Sequence, residues 1–146
     1  MGLEVKWHDT EQTILVATIA QDTTWHDYHV AIDLIIRYAA AANHRVDVIF
    51  LDDVGMPRGN PLLHLQQGAS KLMQQHNIHL CLVAGSQGST GYARSVIEIV
   101  GRIFTHGKTP HVFEPTLEAA VARIQAHRLG HSSQPPRPNS YRNPLF

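Results

Sequence analysis

Residues 46–83 read VDVIFLDDVGMPRGNPLLHLQQGASKLMQQHNIHLCLV, and their pattern decides the fold. The apolar run Val48–Leu51 lacks polar alternation, which is typical of a strand buried on both faces. Asn60-Pro61 predicts a helix start, with asparagine as the cap and proline at the first helical position. A second apolar run, Ile78–Val83, predicts another strand. A strand–helix–strand crossover of this kind joins two strands that lie parallel.

Outside this unit the apolar pattern predicts three further strands and three further helices. Leu3–Trp7 alternates apolar and polar residues, and Ile14–Ala20 follows a short polar turn, which favours an antiparallel hairpin. Thr24, Thr90–Gly91 and Thr116 mark helix starts, the last of them after a short strand at residues 111–114. The predicted inward faces of the four helices contain, in chain order, Tyr28, Ala31, Ile32, Ile35, Ala39 and Ala42; Leu62, Leu65, Gln66, Ala69, Leu72 and Met73; Ala93, Val96, Ile97, Val100 and Ile103; and Leu117, Ala120, Val121 and Ile124.

The predicted order β-β-α-β-α-β-α-β-α belongs to the α/β class, with a mixed sheet that has a parallel core flanked by helices. We expect one domain over residues 1–129. Residues 130–146 are rich in Ser, Pro and Arg with little to bury, so they are predicted to form a flexible tail.

Composition excludes several classes of protein. The 146 residues carry twelve basic and twelve acidic side chains, and this balance argues against binding to nucleic acid or to an anionic membrane. The single cysteine, Cys81, cannot form an internal disulfide and is predicted to be a small core residue. The first residues, MGLEVKWHD, contain no continuous apolar core of the signal-peptide type, and no apolar run reaches the roughly 18 residues of a membrane span. We therefore expect a soluble cytoplasmic protein.

Over roughly Leu3 to Arg128 the element order resembles the STAS domain, a family that includes anti-sigma-factor antagonists and the cytoplasmic domains of sulfate transporters. In that family a strand ends in an acidic residue, and a short loop delivers a helix whose first turn carries a phosphorylatable Ser or Thr. Phe50-Leu51-Asp52-Asp53 resembles the strand end, and Leu62–Leu72 resembles the helix. The family's Asp-Ser-Ser-Gly signature is replaced by Asp-Asp-Val-Gly and then Met-Pro-Arg-Gly-Asn-Pro, without a hydroxyl. The chain is therefore similar to divergent bacterial STAS-like proteins.

The resemblance implies a non-enzymatic protein–protein interaction domain in bacterial signalling, whose partner is a kinase-type anti-sigma factor or a sensor. Neither Gly59 nor Asn60 can accept a phosphoryl group, so the usual phospho-switch is not expected. The expected partner-binding surface is the loop after the first buried strand, joined by the glycine-rich loop after the second. Its proposed contact residues are Asp53, Met56, Pro57, Arg58, Gly59 and Asn60.

The glycine-rich loop itself offers an alternative function. Residues 85–91 read GSQGSTG between a strand and a helix, where backbone N–H groups attract anions. Their G-x-x-G-x-x-G spacing matches neither the dinucleotide fingerprint nor the P-loop, and a flexible loop with a Ser or Thr cap also explains it. The alternative is a small-ligand or nucleotide/anion sensor. Its ligand residues would be Gly85, Ser86, Gly88, Ser89, Thr90, Gly91 and Arg94, with Arg58 assisting if the two loops lie side by side.

Other candidate chemistry has simpler explanations. A phospho-acceptor role for Asp52-Asp53 would need a receiver fold, but the chain opens with a hairpin and lacks the late lysine, so turn formation is favoured. His26, His29 and Asp33 share one helical face and could in principle ligate a metal, but a solvated face is the simpler explanation. The sequence contains no G-x-S-x-G or HExxH motif. We expect neither enzymatic activity nor a cofactor.

Overall fold

The computed structural model describes residues 2–104 and 112–133, and the fold within them is α/β. Its elements are β1 (Leu3–Trp7), β2 (Ile14–Ile19), α1 (Trp25–Ala41), β3 (Val46–Asp52), α2 (Pro61–Gln74), β4 (Ile78–Ala84), α3 (Gly91–Phe104), β5 (Val112–Glu114) and α4 (Leu117–Ser133). The predicted fold class and element order are confirmed.

The five strands form one sheet in the order β1-β2-β3-β4-β5. β1 pairs antiparallel with β2, whereas β2, β3, β4 and β5 pair parallel, which confirms the predicted hairpin and the predicted parallel unit. Asp52 lies opposite Ile19, and Leu51 lies opposite Ala84. The carboxyl ends of β2, β3 and β4 therefore meet along one side of the sheet, called here the carboxyl edge and defined by Ile19, Asp52 and Ala84.

Two apolar cores lie on opposite faces of the sheet. The first packs α1 and α2 against one face, and the second packs α4 against the other. α3 lies beside α2 and buries Ala93, Val96 and Val100. On the opposite face the buried carboxylate of Asp47 accepts a hydrogen bond from Arg128 at 2.7 Å, which fastens α4 to β3.

The helix starts follow the capping residues predicted from the sequence. Thr24 and Asp27 form a reciprocal capping box at α1. The Asn60 side chain accepts a hydrogen bond from the Leu62 amide at 3.1 Å, with Pro61 at the first helical position of α2. Thr116 accepts from the Ala119 amide at the start of α4. These caps fix where each helix leaves the sheet.

The predicted inward face of α2 is wrong at two positions. Leu62 is 44% exposed and Met73 is 46% exposed, although both were expected to face the sheet. The inward stripe instead runs through Pro61, Leu65, Gly68 and Leu72. The helix is thus rotated by about one residue relative to the prediction, because it packs against α1 and α3 as well as the sheet.

The predicted boundary between domain and tail differs from the observed helix. α4 continues through Ser133, so residues 130–133 are helical. The rest of the predicted tail, residues 134–146, lies outside the described residues. His111, predicted to begin the last strand, and the side chain of Ile103 lie outside them as well.

Candidate functional site

The loops that follow β3 and β4 lie side by side at the carboxyl edge. The backbone carbonyl of Asp52 accepts hydrogen bonds from the amides of Gln87 at 3.1 Å and Gly88 at 3.0 Å. Gly85 adopts a φ of +108°, and a Cβ there would lie 2.3 Å from the Asp52 carbonyl oxygen. Only glycine permits this conformation and this close approach. The two segments named in the sequence, residues 53–60 and 85–91, therefore form one continuous structure.

The two adjacent aspartates shape this structure in different ways. The Asp52 carboxylate is buried and accepts hydrogen bonds from the amides of Val54 at 2.9 Å and Gly55 at 2.7 Å, closing the turn that the sequence predicted. The exposed Asp53 carboxylate accepts hydrogen bonds from the amide of Ser86 at 2.8 Å and from its hydroxyl at 3.3 Å. Asp53 thereby joins the two loops through a side chain.

The polar groups of the glycine-rich loop are largely engaged within the protein. The amide of Ser86 donates to Asp53, and the amide of Ser89 donates to the carbonyl of Gly85 at 3.2 Å. The hydroxyls of Ser89 and Thr90 donate to backbone carbonyls one turn earlier. A carboxylate therefore already lies where the predicted anion would be held, which does not favour anion binding at this loop.

Arg94, which the sequence assigned to the same anion site, lies near the other end of the loop. Its guanidinium carbon lies 4.7 Å from the centre of the Phe113 ring in β5. Its Nε lies 3.8 Å from a carboxylate oxygen of Glu98, one turn later in α3. The Arg94 guanidinium therefore makes a cation–π contact with Phe113 and an ion pair with Glu98.

The six predicted partner-binding residues fall into two groups. Met56 and Pro57 are half-buried and line a cavity beneath the loop. Asp53, Arg58, Gly59 and Asn60 are exposed. The second group is therefore the more accessible to a protein partner.

Large exposed apolar side chains beside this loop were missed by the sequence reasoning. Leu63 is 54% exposed and Tyr92 is 68% exposed, and Leu62 is also exposed. All three lie in the first turns of α2 and α3, and both helices begin at the carboxyl edge. The consecutive pair Leu62-Leu63 could have predicted this exposure. Successive residues of a helix point in directions 100° apart, so the two leucines cannot both point at the sheet.

A cavity of about 90 Å³ lies beneath the 53–60 loop, between the sheet and helices α1, α2 and α3. Its walls are mostly carbon. They include Leu3, Ile19, Thr23, Trp25, Tyr28, Phe50, Asp52, Met56, Pro57, Leu65, Ala69, Leu72, Cys81, Val83, Gly88, Ile97 and Val100. The cavity adjoins the carboxyl ends of parallel strands, which is the common position for ligand sites in open α/β sheets.

Trp25 is the cavity residue with an unsatisfied polar group. Its side chain is buried, and its Nε1 has no hydrogen-bond acceptor among the residues that the structure describes. The indole stacks on the His64 imidazole, with ring centres 4.9 Å apart and planes 8° apart. A Cβ at Gly59 would lie 3.6 Å from Trp25 Nε1, so the 53–60 loop packs over this edge of the indole.

Burial keeps two titratable side chains of the cavity wall, Cys81 and Tyr28, uncharged. It raises the pKa of Cys81 to about 12, and the nearby Asp47 carboxylate adds to this effect. Burial likewise raises the pKa of Tyr28 well above its ordinary value, again with a smaller contribution from Cys81. A protonated thiol is a poor nucleophile, so Cys81 is a wall residue, as its position in a buried strand predicted.

The candidate metal face on α1 has a different role. His29 Nε2 lies 2.8 Å from His64 Nδ1, and Asp33 accepts a hydrogen bond from Lys71 at 3.1 Å. The expectation of a solvated face is confirmed for His26 and Asp33, which are exposed, whereas His29 is half-buried beside His64 of α2. Within residues 2–104 and 112–133, no cluster of three or more His, Cys, Asp or Glu is arranged to hold a metal ion.

Comparison with known proteins does not identify a family. No protein-family model matches the chain, and neither a curated protein nor a solved structure matches it. The STAS resemblance stays a prediction. In the described part of the chain, no helix combines the length and the apolar character needed to cross a membrane.

Proposed function

We propose that this chain is a non-catalytic protein–protein interaction domain of the STAS-like signalling type. Its docking surface, as we define it, consists of Arg58, Gly59, Asn60, Leu62, Leu63 and Tyr92. The observation that carries the proposal is the hydrogen bonding of Asp53 to Ser86, because it holds the two loops together before any partner arrives. A preorganised surface loses less entropy when it binds.

The composition of the docking surface suits a protein partner. Tyr and Arg are enriched at protein interfaces, and leucines beside them supply apolar contact area. Arg58 is exposed between the loop and the start of α2. The partner would present an apolar patch with a carboxylate positioned for Arg58.

The proposed binding is constitutive. The segment from Asp53 to Leu63 contains no hydroxyl side chain, and the nearest hydroxyl within α2 is Ser70, more than two turns into the helix. We therefore do not expect phosphorylation of a hydroxyl at the start of α2 to act as the switch. A kinase-type anti-sigma factor or a sensor in bacterial signalling remains the proposed class of partner.

The alternative function, an anion or nucleotide sensor at residues 85–91, has less support. Asp53 and the Asp52 carbonyl already accept the hydrogen bonds of Ser86, Gln87 and Gly88. An anion would have to displace a carboxylate of the same charge, which electrostatic repulsion opposes.

Affinity capture from the native host tests the proposal. The bait is the full chain, either unchanged or with Arg58→Glu, and Lys6→Glu in β1 is the matched control because Lys6 is also exposed. We expect a protein that is retained by the unchanged chain and by Lys6→Glu and is lost with Arg58→Glu. Capture of no such protein, or equal capture by all three baits, would contradict the proposal.

A further inference from the structure

We propose that a second copy of this chain pairs with β1 and joins the two five-stranded sheets into one, giving a symmetric dimer. The surface that it uses is called here the β1 edge and is defined by the outward backbone groups of Leu3, Val5 and Trp7. The β1 edge shares no residue with the docking surface. This inference therefore goes beyond the proposed interaction function, and either one can fail without the other.

β1 lies at one end of the strand order and is five residues long, whereas β5 at the other end has three. Natural proteins block such open edges with prolines, bulges or charged side chains, because an open edge pairs readily with another strand. β1 contains no proline, and its pairing with β2 runs without a bulge. Its two charged residues, Glu4 and Lys6, have opposite signs. The strand is therefore suited to pairing.

The hydrogen bonds to β2 show which backbone groups of β1 point outward. The Gly2 carbonyl accepts from the Ala20 amide at 2.8 Å, and the His8 amide donates to the Ile14 carbonyl at 2.8 Å. Hydrogen-bonded pairs alternate along an antiparallel ladder, so the even-numbered residues of β1 bond to β2. The N–H and C=O groups of Leu3, Val5 and Trp7 consequently point away from β2, toward the β1 edge.

The β1 sequence is complementary to itself in one antiparallel register. When Val5 lies opposite Val5 of the second copy, Leu3 lies opposite Trp7 of that copy, and the outward backbone groups of these residues bond to each other. In the same register Glu4 lies opposite Lys6 of the second copy, and the two-fold axis repeats this pair. Opposite charges that face each other across two strands stabilise the pairing. A two-fold axis through Val5 therefore satisfies both the backbone and the charges.

The neighbouring registers are disfavoured by charge. Only the outward residues can bond across the edge, so the register can slide only in steps of two residues. One such step places Glu4 opposite Glu4 of the second copy, and the opposite step places Lys6 opposite Lys6. Like charges directly opposite each other destabilise a strand pair. The charge pattern thus selects the register that is centred on Val5.

The two faces of β1 also match their counterparts in the second copy. Leu3, Val5 and Trp7 are half-buried against the first apolar core, so pairing extends that core across the new boundary. On the other face the side chains of Glu4 and Lys6 are 66% and 70% exposed, and they lie 3.8 Å apart within one chain. An exposed ion pair of this kind is weak, so both side chains can turn to the second copy.

Sedimentation of the full chain over a range of about 1 µM to about 1 mM tests the inference, because small interfaces have affinities in this range. We expect a monomer–dimer equilibrium. Glu4→Lys or Lys6→Glu alone places like charges opposite each other twice and should weaken the dimer about tenfold or more. The double exchange of Glu4→Lys with Lys6→Glu should restore the dimer, and so should mixing the two single variants. A monomer at every concentration, an equilibrium that Lys6→Glu does not change, or a double exchange that restores nothing would overturn the inference.

Hydrogen exchange locates the interface independently of the charge variants. With rising concentration of the unchanged chain, exchange at the amides of Leu3, Val5 and Trp7 should slow, because these groups become bonded to the second copy. The Lys6 amide bonds to β2 in the monomer already, so its exchange should change much less. Slowing that is confined to residues outside β1 would overturn the inference.

Discussion

The Asp53 carboxylate accepts hydrogen bonds from both the amide and the hydroxyl of Ser86, at 2.8 and 3.3 Å. This relationship connects the segments that follow two neighbouring parallel strands. Together with the bonds from Gln87 and Gly88 to the Asp52 carbonyl, it turns two loops into one preformed surface. The proposed docking surface depends on that preorganisation.

Replacement of Asp53 should loosen the loop pair without unfolding the domain. Both Asp53 and Ser86 are exposed, so water replaces the lost acceptor, and we expect Asp53→Ala to lower the free energy of unfolding by only about 1 kcal/mol. Hydrogen exchange at the Ser86 amide should accelerate. Asp53→Asn, which keeps an acceptor oxygen, should have a smaller effect on both measurements. Unchanged exchange at Ser86 in Asp53→Ala would contradict this account of the loops.

Gly68 is required where α2 crosses α1. A Cβ at this position would lie 2.1 Å from the hydroxyl oxygen of Tyr28, so Gly68→Ala overpacks the interface. We expect the free energy of unfolding to fall by about 1–3 kcal/mol. Gly130→Ala is the matched control in α4, where a Cβ meets no atom within 4 Å of the described residues. That change should stabilise by up to about 1 kcal/mol, because alanine favours helices.

Urea unfolding of the two glycine variants measures this difference directly. We expect the free energy of unfolding to fall for Gly68→Ala and to rise for Gly130→Ala. Equal stabilisation of both variants would mean that α1 and α2 do not approach each other as closely as Gly68 and Tyr28 do here.

Asp47 is the electrostatic attachment of α4 to the sheet. Its carboxylate has no exposed surface and accepts hydrogen bonds from Arg45 at 3.0 Å and Arg128 at 2.7 Å. Asp47→Ala leaves two guanidinium groups without this partner, and we expect a loss of about 3–5 kcal/mol in the free energy of unfolding. Glu4→Ala removes an exposed ion pair with Lys6 and should change stability by less than about 1 kcal/mol. Similar losses for both variants, measured by urea unfolding, would contradict this role.

The His29–His64 contact makes stability depend on pH. Burial lowers the pKa of His29, and the neighbouring His64 and Lys71 lower it further. The unfolded chain therefore binds more protons than the folded chain just below pH of about 6.5. The contribution of neutral His29 to the free energy of unfolding is fully present above pH of about 6.5. It is lost as the pH falls toward the lowered pKa of His29, and below that pKa the free energy no longer changes through this group.

Thermal unfolding between pH of about 7.5 and about 5.5 tests this dependence. His29→Gln stays neutral throughout this range, so its melting temperature should fall less on acidification than that of the unchanged chain. His26→Gln, at an exposed position one turn earlier, should retain most of the pH dependence, because His26 is the smallest of the causes that lower the pKa of His29. An equal dependence in His29→Gln and the unchanged chain would exclude His29 as the responsible group.

The sequence predicts the framework of the fold well, because the framework depends on local patterns. Asn60-Pro61 and Thr24 determine where helices begin, and the apolar runs identify buried strands. The adjacency of the two loops also follows from the sequence, since parallel neighbours place their carboxyl ends together.

The details of the candidate site depend on contacts between distant residues and escape such patterns. The rotation of α2, which exposes Leu62, follows from its packing between two other helices. His29 and His64 lie in two different helices, and no local sequence pattern predicts that these helices bring the two side chains together. The cavity and the unpaired Trp25 N–H arise from how side-chain volumes fit together, which no spacing rule describes.

Site-specific photo-crosslinking in the native host tests the central claim most directly. The photoreactive residue p-benzoylphenylalanine replaces Leu63, which is 54% exposed on the docking surface, or Leu129, which is 67% exposed on α4 across the sheet. The account predicts a discrete crosslinked protein from position 63 and none from position 129. Crosslinks from position 129 alone, or none from position 63, would contradict the proposed docking surface.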